Sequence, residues 1–249
     1  KNHKTLIQKT ISTYYLNKKI YTAPPNSQGL ALISLCEAFK KQNENTKLIN
    51  IDYYLKSKKD SFKKRDFFCV DPTLTKLKNK KLKKINNRFP NHKKISGDTS
   101  TLVVIDKHGN AVSWVQSLFE EFGSGVVSPN TGIVLHNRLY LENLSKKYKN
   151  FLKPNKRPFH TLCPCIVLDD KEIDLTIATP GDHGQPQTLF QIINFIYKNR
   201  YSLKKSIDAP RLRHDNGNLI LTEIGYEKFY KKTKKTKIKI FKKKDRIFG

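Results

Sequence analysis

The spacing of hydrophobic positions changes near Thr99, from helical periodicity before it to strand-like apolar runs after it. In LALISLCEAFKK (30–41), Leu32, Leu35, Cys36 and Phe39 recur at i, i+3, i+4 and i+7, which predicts an amphipathic helix with one buried face. IYTAPPNSQG (20–29) leads into it through a tight Pro/Gly turn, and residues 4–18 read as an earlier helix. From 56 to 98 the chain is basic and polar, with Pro72, Pro90 and Gly97. A long exposed connector with at most short helical pieces, open to cleavage, is expected there.

Beyond Thr99, TLVVID (101–106) and AVSWVQSLF (111–119) flank a Gly-containing turn, KHGN (107–110), and predict a hairpin. Their near-continuous apolar character predicts burial on both faces. TGIVLHN (131–137), CPCIVLDD (163–170) and EIDLTIATP (172–180) read as further strands, the last two joined by a short Asp-Asp-Lys turn, in an antiparallel sheet. Leu189, Ile192, Ile193, Ile196 and Tyr197 mark a helix in QPQTLFQIINFIYKN (185–199), and SLKKSIDAPR (202–211) is a shorter one stopped by Pro210. Strands with helices outside them predict a layered α+β sandwich. The length of 249 residues favours one domain or at most two.

Composition changes this picture little. Hydrophobic residues make up 37% and aromatics 10%, enough for a folded body, while a mean hydropathy of -0.62 implies a heavily charged surface. A net charge of +28 points nominally to polyanions. The lysines, however, lie in runs at 56–66, 76–84 and 231–244, and no RNP, finger or basic-helix pattern accompanies them. A solvated, self-repelling surface is the better reading, with a basic nucleic-acid-binding protein as a rival. Cys36, Cys69, Cys163 and Cys165 lack the CxxC pairs of metal or redox sites, and Cys163 and Cys165 fall on one face of a strand. No apolar run reaches a bilayer-spanning length, KNHKTLIQKT lacks a signal-peptide core, and the first residue is not Met, as in a segment of a longer product. No compartment is assigned.

The candidate chemistry centres on GDTSTLVVIDKHGNAVS (97–113), where Gly97, Asp98 and Thr99 directly precede a strand. A threonine hydroxyl is a poor nucleophile at neutral pH without an adjacent base, and no histidine adjoins Thr99 in sequence. Alone, Thr99 reads as a β-branched residue opening a strand.

Taken with six other stretches, the segment resembles the gamma-glutamyltranspeptidases and their acylase-like relatives, which are N-terminal-nucleophile hydrolases. The others are APPNSQG (23–29), FGSGVV (122–127), TGIVLHNR (131–138), KRPFHTLCP (156–164), TPGDHGQPQ (179–187) and DAPR (208–211), in the family's order. They cover the chain from residue 20 to about 225. The resemblance implies an α+β fold with a four-layer αββα core and largely antiparallel sheets. It also implies a large-subunit-like part, 1–98, ending in a basic connector, and a small-subunit-like part, 99–249, the two intertwined in one domain.

By the same resemblance, the precursor cuts its own Asp98-Thr99 bond. Thr99 then carries a free α-amino group with a pKa of roughly 7.7–8.0, partly neutral near pH 7 and able to act as its base. Thr99 would form an acyl-enzyme with a γ-glutamyl or related acyl amide, resolved by water, an amino acid or a dipeptide. Ser117 is expected to hydrogen-bond the Thr99 side chain. PGDHG (180–184) matches the Gly-Gly turn of the oxyanion hole, with Gly181 retained and Asp182 in place of the second glycine. Asn137, Arg138, His160 and Thr161 match substrate-binding positions, His160 and Thr161 standing where transpeptidases have serines. Leu141 replaces an acidic residue that holds the substrate α-amino group, and Phe119 a polar one, so the acylase-like branch looks closer.

No metal or organic cofactor is implied, and the substrate expected is a small, glutathione-like acyl amide. Nothing here matches the family's region before APPNSQG, and KKKDRIFG ends where a Gly-rich strand is expected. An inactive or split fragment, completed by an N-terminal segment or partner chain, is therefore the alternative reading. Such a lone fragment would leave sheet edges and apolar faces uncovered.

Overall fold

The structure, a computed structural model, describes residues 5–40, 42, 47–72, 97–146, 148–231, 236–242 and 244–249, with Gly97 and Asp98 as backbone only. The chain begins with two short strands, Ile11–Tyr15 (β1) and Lys18–Thr22 (β2), paired antiparallel. Thr13, Tyr15, Ile20 and Thr22 point inward, while Leu16 and Asn17 form the turn with φ of 52° and 60°. This corrects the helix expected over residues 4–18. A period-two pattern broken by a left-handed pair makes a hairpin.

Gly29–Lys40 (α1) is the expected amphipathic helix, with Leu32, Leu35, Cys36 and Phe39 buried. A Cβ on Gly29 would run into Ala23 O and Thr22 Oγ1, so the helix can start there only on glycine. After the two-residue strand Ile49–Asn50 (β3), Asn50 Oδ1 caps Ile51–Phe68 (α2) by accepting from Tyr53 N at 3.0 Å. This 18-residue helix overturns the expectation of only short helical pieces after residue 56. Its inner stripe is Ile51, Tyr54, Leu55, Lys58, Phe62 and Arg65, a helical spacing hidden by two cationic members. The rest of the expected connector, 73–96, lies outside the described residues.

Gly97–Ile105 (β4) and Ala111–Glu120 (β5) form the expected antiparallel hairpin. Its turn is held by Asp106 Oδ1, which accepts from His108 N and Asn110 N at 2.9 and 2.8 Å. The hairpin is not buried on both faces, however. Leu102 and Trp114 are 57% and 55% exposed, and Val103, Val104, Ile105 and Val112 are exposed as well. The strand expected at 131–137 is also absent; that stretch is a loop with a single bridge, Val127 to Val134.

Cys165–Asp169 (β6) and Glu172–Ile177 (β7) complete a sheet in the order β1-β2-β6-β7, in which β2 pairs with β6. Gln185–Ile193 (α3), with Pro186 in its first turn, continues as one π-helical turn to Lys198. Leu203–Asp208 (α4) starts on a Ser202 cap. Leu212–His214 (β8), Leu219–Glu223 (β9), Tyr230–Lys231 (β10) and Lys237–Phe241 (β11) follow. β11-β9-β8 is a small mixed sheet, and β10 lies parallel to β3.

α1 and α3 cover one face of the β1-β2-β6-β7 sheet, and Ile20, Leu35, Phe39, Tyr54, Leu189 and Phe190 form the core between them. The β4-β5 hairpin lies against β6 and β7, with Ser113 Oγ donating to Ile177 O at 2.9 Å and Thr176 Oγ1 to Val112 O at 3.2 Å. Cys36, Cys69, Cys163 and Cys165 are free and buried, and burial pushes every one of these thiols above its usual range. No described helix is long and apolar enough to cross a membrane.

Candidate active site

Thr99 sits near the start of β4, half-buried, opposite Ser117 on β5, and the strand register shifts between Asp98 and Thr99. Such a bulge re-aims a side chain locally. Ser117 Oγ accepts from Phe119 N at 2.9 Å; a bond from Ser117 to Thr99 is not among the hydrogen bonds of the described residues. Phe119 is itself in the left-handed region, with φ 83°, and is buried beneath this end of the hairpin.

Ser117 O is held at 3.2 Å by Nη2 of Arg138, whose Nη1 donates to Thr161 Oγ1 at 3.3 Å. Arg138 is only 3% exposed, and its guanidinium lies 5.6 Å from the Phe119 ring centre. The next link is Gln28, fully buried, whose Nε2 donates both to Thr161 O and, at 2.6 Å, to Asp182 O. Gln28 Oε1 accepts from Arg65 Nη1 at 3.2 Å, and the same nitrogen is 3.0 Å from His183 Nδ1. Because arginine only donates, that His183 nitrogen accepts and its proton resides on Nε2. One run of contacts thus ties β5, the loop at Thr161 and the turn at Gly181–Asp182 together.

That turn is bent by two left-handed residues in succession, Gly181 at φ 110° and Asp182 at φ 50°. Gly181 O accepts from Gly184 N at 2.7 Å and from Arg213 Nη1 at 3.0 Å. Among the described residues neither Gly181 N–H nor Asp182 N–H has a backbone acceptor. Thr176 and Ile177 lie beside Val112 and Ser113, so the chain from Ile177 to Gly181 advances in the same sense as Ser113 to Ser117.

The electrostatics are dominated by cations. Burial opposes ionisation of Asp182, but the Arg213 and Arg65 charges and a hydrogen bond from the His183 backbone N–H outweigh it and hold the carboxyl below its usual range. Asp182 Oδ1 has no hydrogen-bond partner among the described residues. Burial lowers Arg138 to about 10, with Asp182 acting against the shift. His160 and His183 are each pushed down to about 3, first by burial, so both are neutral at pH 7.

A cleft of ≈ 580 Å³ opens beside this network, lined among others by Trp114, Ser117, His136, Arg138, Arg157 and His160. Among the described residues its lining contains no carboxylate. The structure therefore brings Ser117, Arg138 and His160 to one cavity, with Thr161 directly behind Arg138. Asn137 has a different place. Its Nδ2 donates to Glu120 Oε2 at 2.6 Å and its Oδ1 accepts from Glu120 N at 3.2 Å, clasping the end of β5 outside the cleft lining. Leu141 is fully buried with Cys69, Phe119 and Phe159 in a small apolar cluster. Sequence reasoning missed Gln28, Arg65, His183 and Arg213. Gln28 and His183 lay inside quoted motifs, whereas Arg65 carried no signal at all, being one cation in a lysine-rich run.

Comparison with known proteins identifies relatives and a shared fold. The glutathione hydrolase-like YwrD proenzyme of Bacillus subtilis is 32% identical over 219 residues, covering 81% of this chain and 41% of that protein. The oxamate amidohydrolase proenzyme of Klebsiella pneumoniae is 41% identical over 116 residues, 46% of this chain and 22% of that one. In fold, the crystal structure of cephalosporin acylase from Bacillus halodurans superposes with a TM-score of 0.72 at 24% identity, covering 97% of this chain and 47% of that chain. The chain thus spans less than half the length of these proteins, and its α+β fold is that of the N-terminal-nucleophile hydrolases. The gamma-glutamyltranspeptidase family model matches residues 1–245, and with the fold and the motif order in agreement, the chain belongs to the gamma-glutamyltranspeptidase family.

Proposed function

We propose that the chain is an autoprocessed N-terminal-threonine amidohydrolase or acyltransferase. Scission of the Asp98-Thr99 bond leaves Thr99 with a free amine, which takes the proton from Thr99 Oγ1 as that oxygen attacks an acyl-amide carbonyl. The N–H groups of Gly181 and Asp182 receive the oxyanion, a role worth roughly 2.7–4 kcal/mol per donor. The proton passes to the departing amine, and water or a second amine then attacks the Thr99 ester. The Asp182 carboxylate opposes the developing negative charge, and Arg213, which holds Gly181 O, together with Arg138 offsets it.

The observation that carries the reading is the linked path Ser117–Arg138–Thr161–Gln28–Asp182, which joins the strand opposite Thr99 to the turn at Gly181 and Asp182, whose N–H groups have no backbone acceptor among the described residues. The test is N-terminal analysis of purified protein after incubation. A new terminus at Thr99 in wild type and none in Thr99→Ala is expected; an intact wild-type chain would refute autoprocessing.

The exposed faces of β4 and β5 favour a second reading, in which a further segment or chain is needed for turnover. Activity toward a γ-glutamyl anilide that arises only on co-expression of an upstream segment would establish it.

A further inference from the structure

Gly181 O and the Asp182 N–H belong to one planar trans peptide and point in opposite directions from it. Whatever holds that carbonyl therefore aims that N–H. Gly181 O is held by two donors, Gly184 N at 2.7 Å and Arg213 Nη1 at 3.0 Å. The peptide needs holding, because Asp182 sits at φ 50°, a left-handed conformation that non-glycine residues seldom adopt. Turning the peptide over would change φ of Asp182 by about 180°, to an ordinary negative value, and would point its N–H the opposite way.

Arg213 is built into its position. It lies on β8 between Leu212 and His214, whose backbone N–H and C=O groups are bonded by the side-chain amides of Gln191 and Gln187 at 2.6–3.1 Å. Its Nε donates to Asp215 Oδ1 at 2.8 Å, and Nη1 also donates to Ile247 O at 2.6 Å. Gly184 leaves room for the guanidinium, since a Cβ there would come within 3.1 Å of Nη1. A charged donor on a carbonyl also draws electron density from the peptide nitrogen and strengthens the N–H at the far end. That strengthening counts in this turn, where the Asp182 carboxylate stands in place of a second glycine.

We propose that Arg213 is a positioning residue for the reaction: it holds the Gly181–Asp182 peptide with the Asp182 N–H presented to the oxyanion, and its charge offsets that of the Asp182 carboxylate. It acts through that peptide. The inference rests on the reading of the turn as the oxyanion hole.

A crystal structure of the Arg213→Met chain tests the direction of the peptide without turnover. The peptide should be turned over, with Asp182 at negative φ, and should stay in place in Arg213→Lys; an unmoved peptide in Arg213→Met would overturn the proposal. Kinetics on a γ-glutamyl anilide, with the active form of the chain alone or with its co-expressed upstream segment, tests the consequence. Arg213→Met should lower kcat by roughly 100-fold or more, as on loss of one oxyanion donor, with KM changed by less than about threefold. Arg213→Lys should recover about tenfold of that loss. Asp182→Gly removes the carboxylate and the constraint on φ together, so in its background Arg213→Met should cost less than about tenfold. Thermal unfolding reports whether each variant has folded. Gly184→Ala, which crowds Nη1 without removing it, is the second variant, expected to lower kcat by roughly 3- to 10-fold and to lose that effect beside Asp182→Gly. Equal losses in both backgrounds, a change in KM alone, or full kcat with the peptide turned over would each overturn the proposal. Absence of turnover together with absence of a Thr99 terminus in wild type would instead refute the function proposed above, and the crystal structure would still decide where the peptide points.

Discussion

Gln28 is the residue on which the site's geometry most depends, and its loss has a magnitude that can be worked out. Replacing it with leucine, of similar volume, removes a donor from Thr161 O and Asp182 O and an acceptor from Arg65 Nη1. All three partners are buried, and a buried polar group left unsatisfied costs about 1–3 kcal/mol. Arg65 retains His183 and Asp66, so its share lies at the low end. Packing of the leucine returns roughly 1 kcal/mol of apolar burial, leaving a net loss of about 2–6 kcal/mol. For a chain of this size that lowers the melting temperature by roughly 4–24 °C. Urea unfolding of wild type and Gln28→Leu at pH 7 measures it, with an unchanged m value expected. In a cycle with Arg65→Met, the paired residues should couple by about 0.5–3 kcal/mol. A single-variant loss under about 1 kcal/mol, with additive behaviour in the cycle, would refute the account of Gln28 as the strut between the two loops.

Other consequences follow from burial and charge. His160 and His183 are pushed down to about 3 and His214 to about 4, against 6.5 in the unfolded chain. Their contribution is complete above about 6.5 and is lost as pH falls from there toward the folded values, at up to about 1.4 kcal/mol per pH unit for each ring. Unfolding free energy measured from pH 7 to 4.5 should therefore fall, and His214→Gln should flatten the slope. Burial likewise lowers Lys58 from 10.5 to about 7, so the folded state resists its protonation. Lys58→Met is expected to stabilise the chain by about 1–4 kcal/mol at pH 7, an advantage that shrinks as pH rises toward that of free lysine. Leu102→Lys with Val104→Lys, on exposed strand positions, should change stability by less than about 0.5 kcal/mol per site while reducing hydrophobic-dye binding and self-association, measured by fluorescence and light scattering.

Local physics was legible wherever one short-range rule decided the outcome. α1 and α3 announce themselves because each carries an apolar stripe at helical spacing, even though α3 also buries Gln185, Gln187, Thr188 and Gln191, and the β4-β5 turn because Asp106, Gly109 and Asn110 carry the turn chemistry themselves. The motif order likewise identified the family and singled out Arg138, His160 and Thr161, which the folded chain gathers around one cleft and the network behind it. What the sequence could not display were elements whose inner faces are polar. α2 buries Lys58 and Arg65 among its apolar residues, so its periodicity is invisible to a hydrophobic pattern, although Arg65 braces Gln28. β1 and β2 bury threonines and tyrosine in alternation, which a helical reading absorbed. Only tertiary structure brings residues 28, 65, 138, 161 and 182 into contact. The partners of a buried hydrogen-bond network are chosen by where separate elements pack, and no local spacing along the chain records that choice.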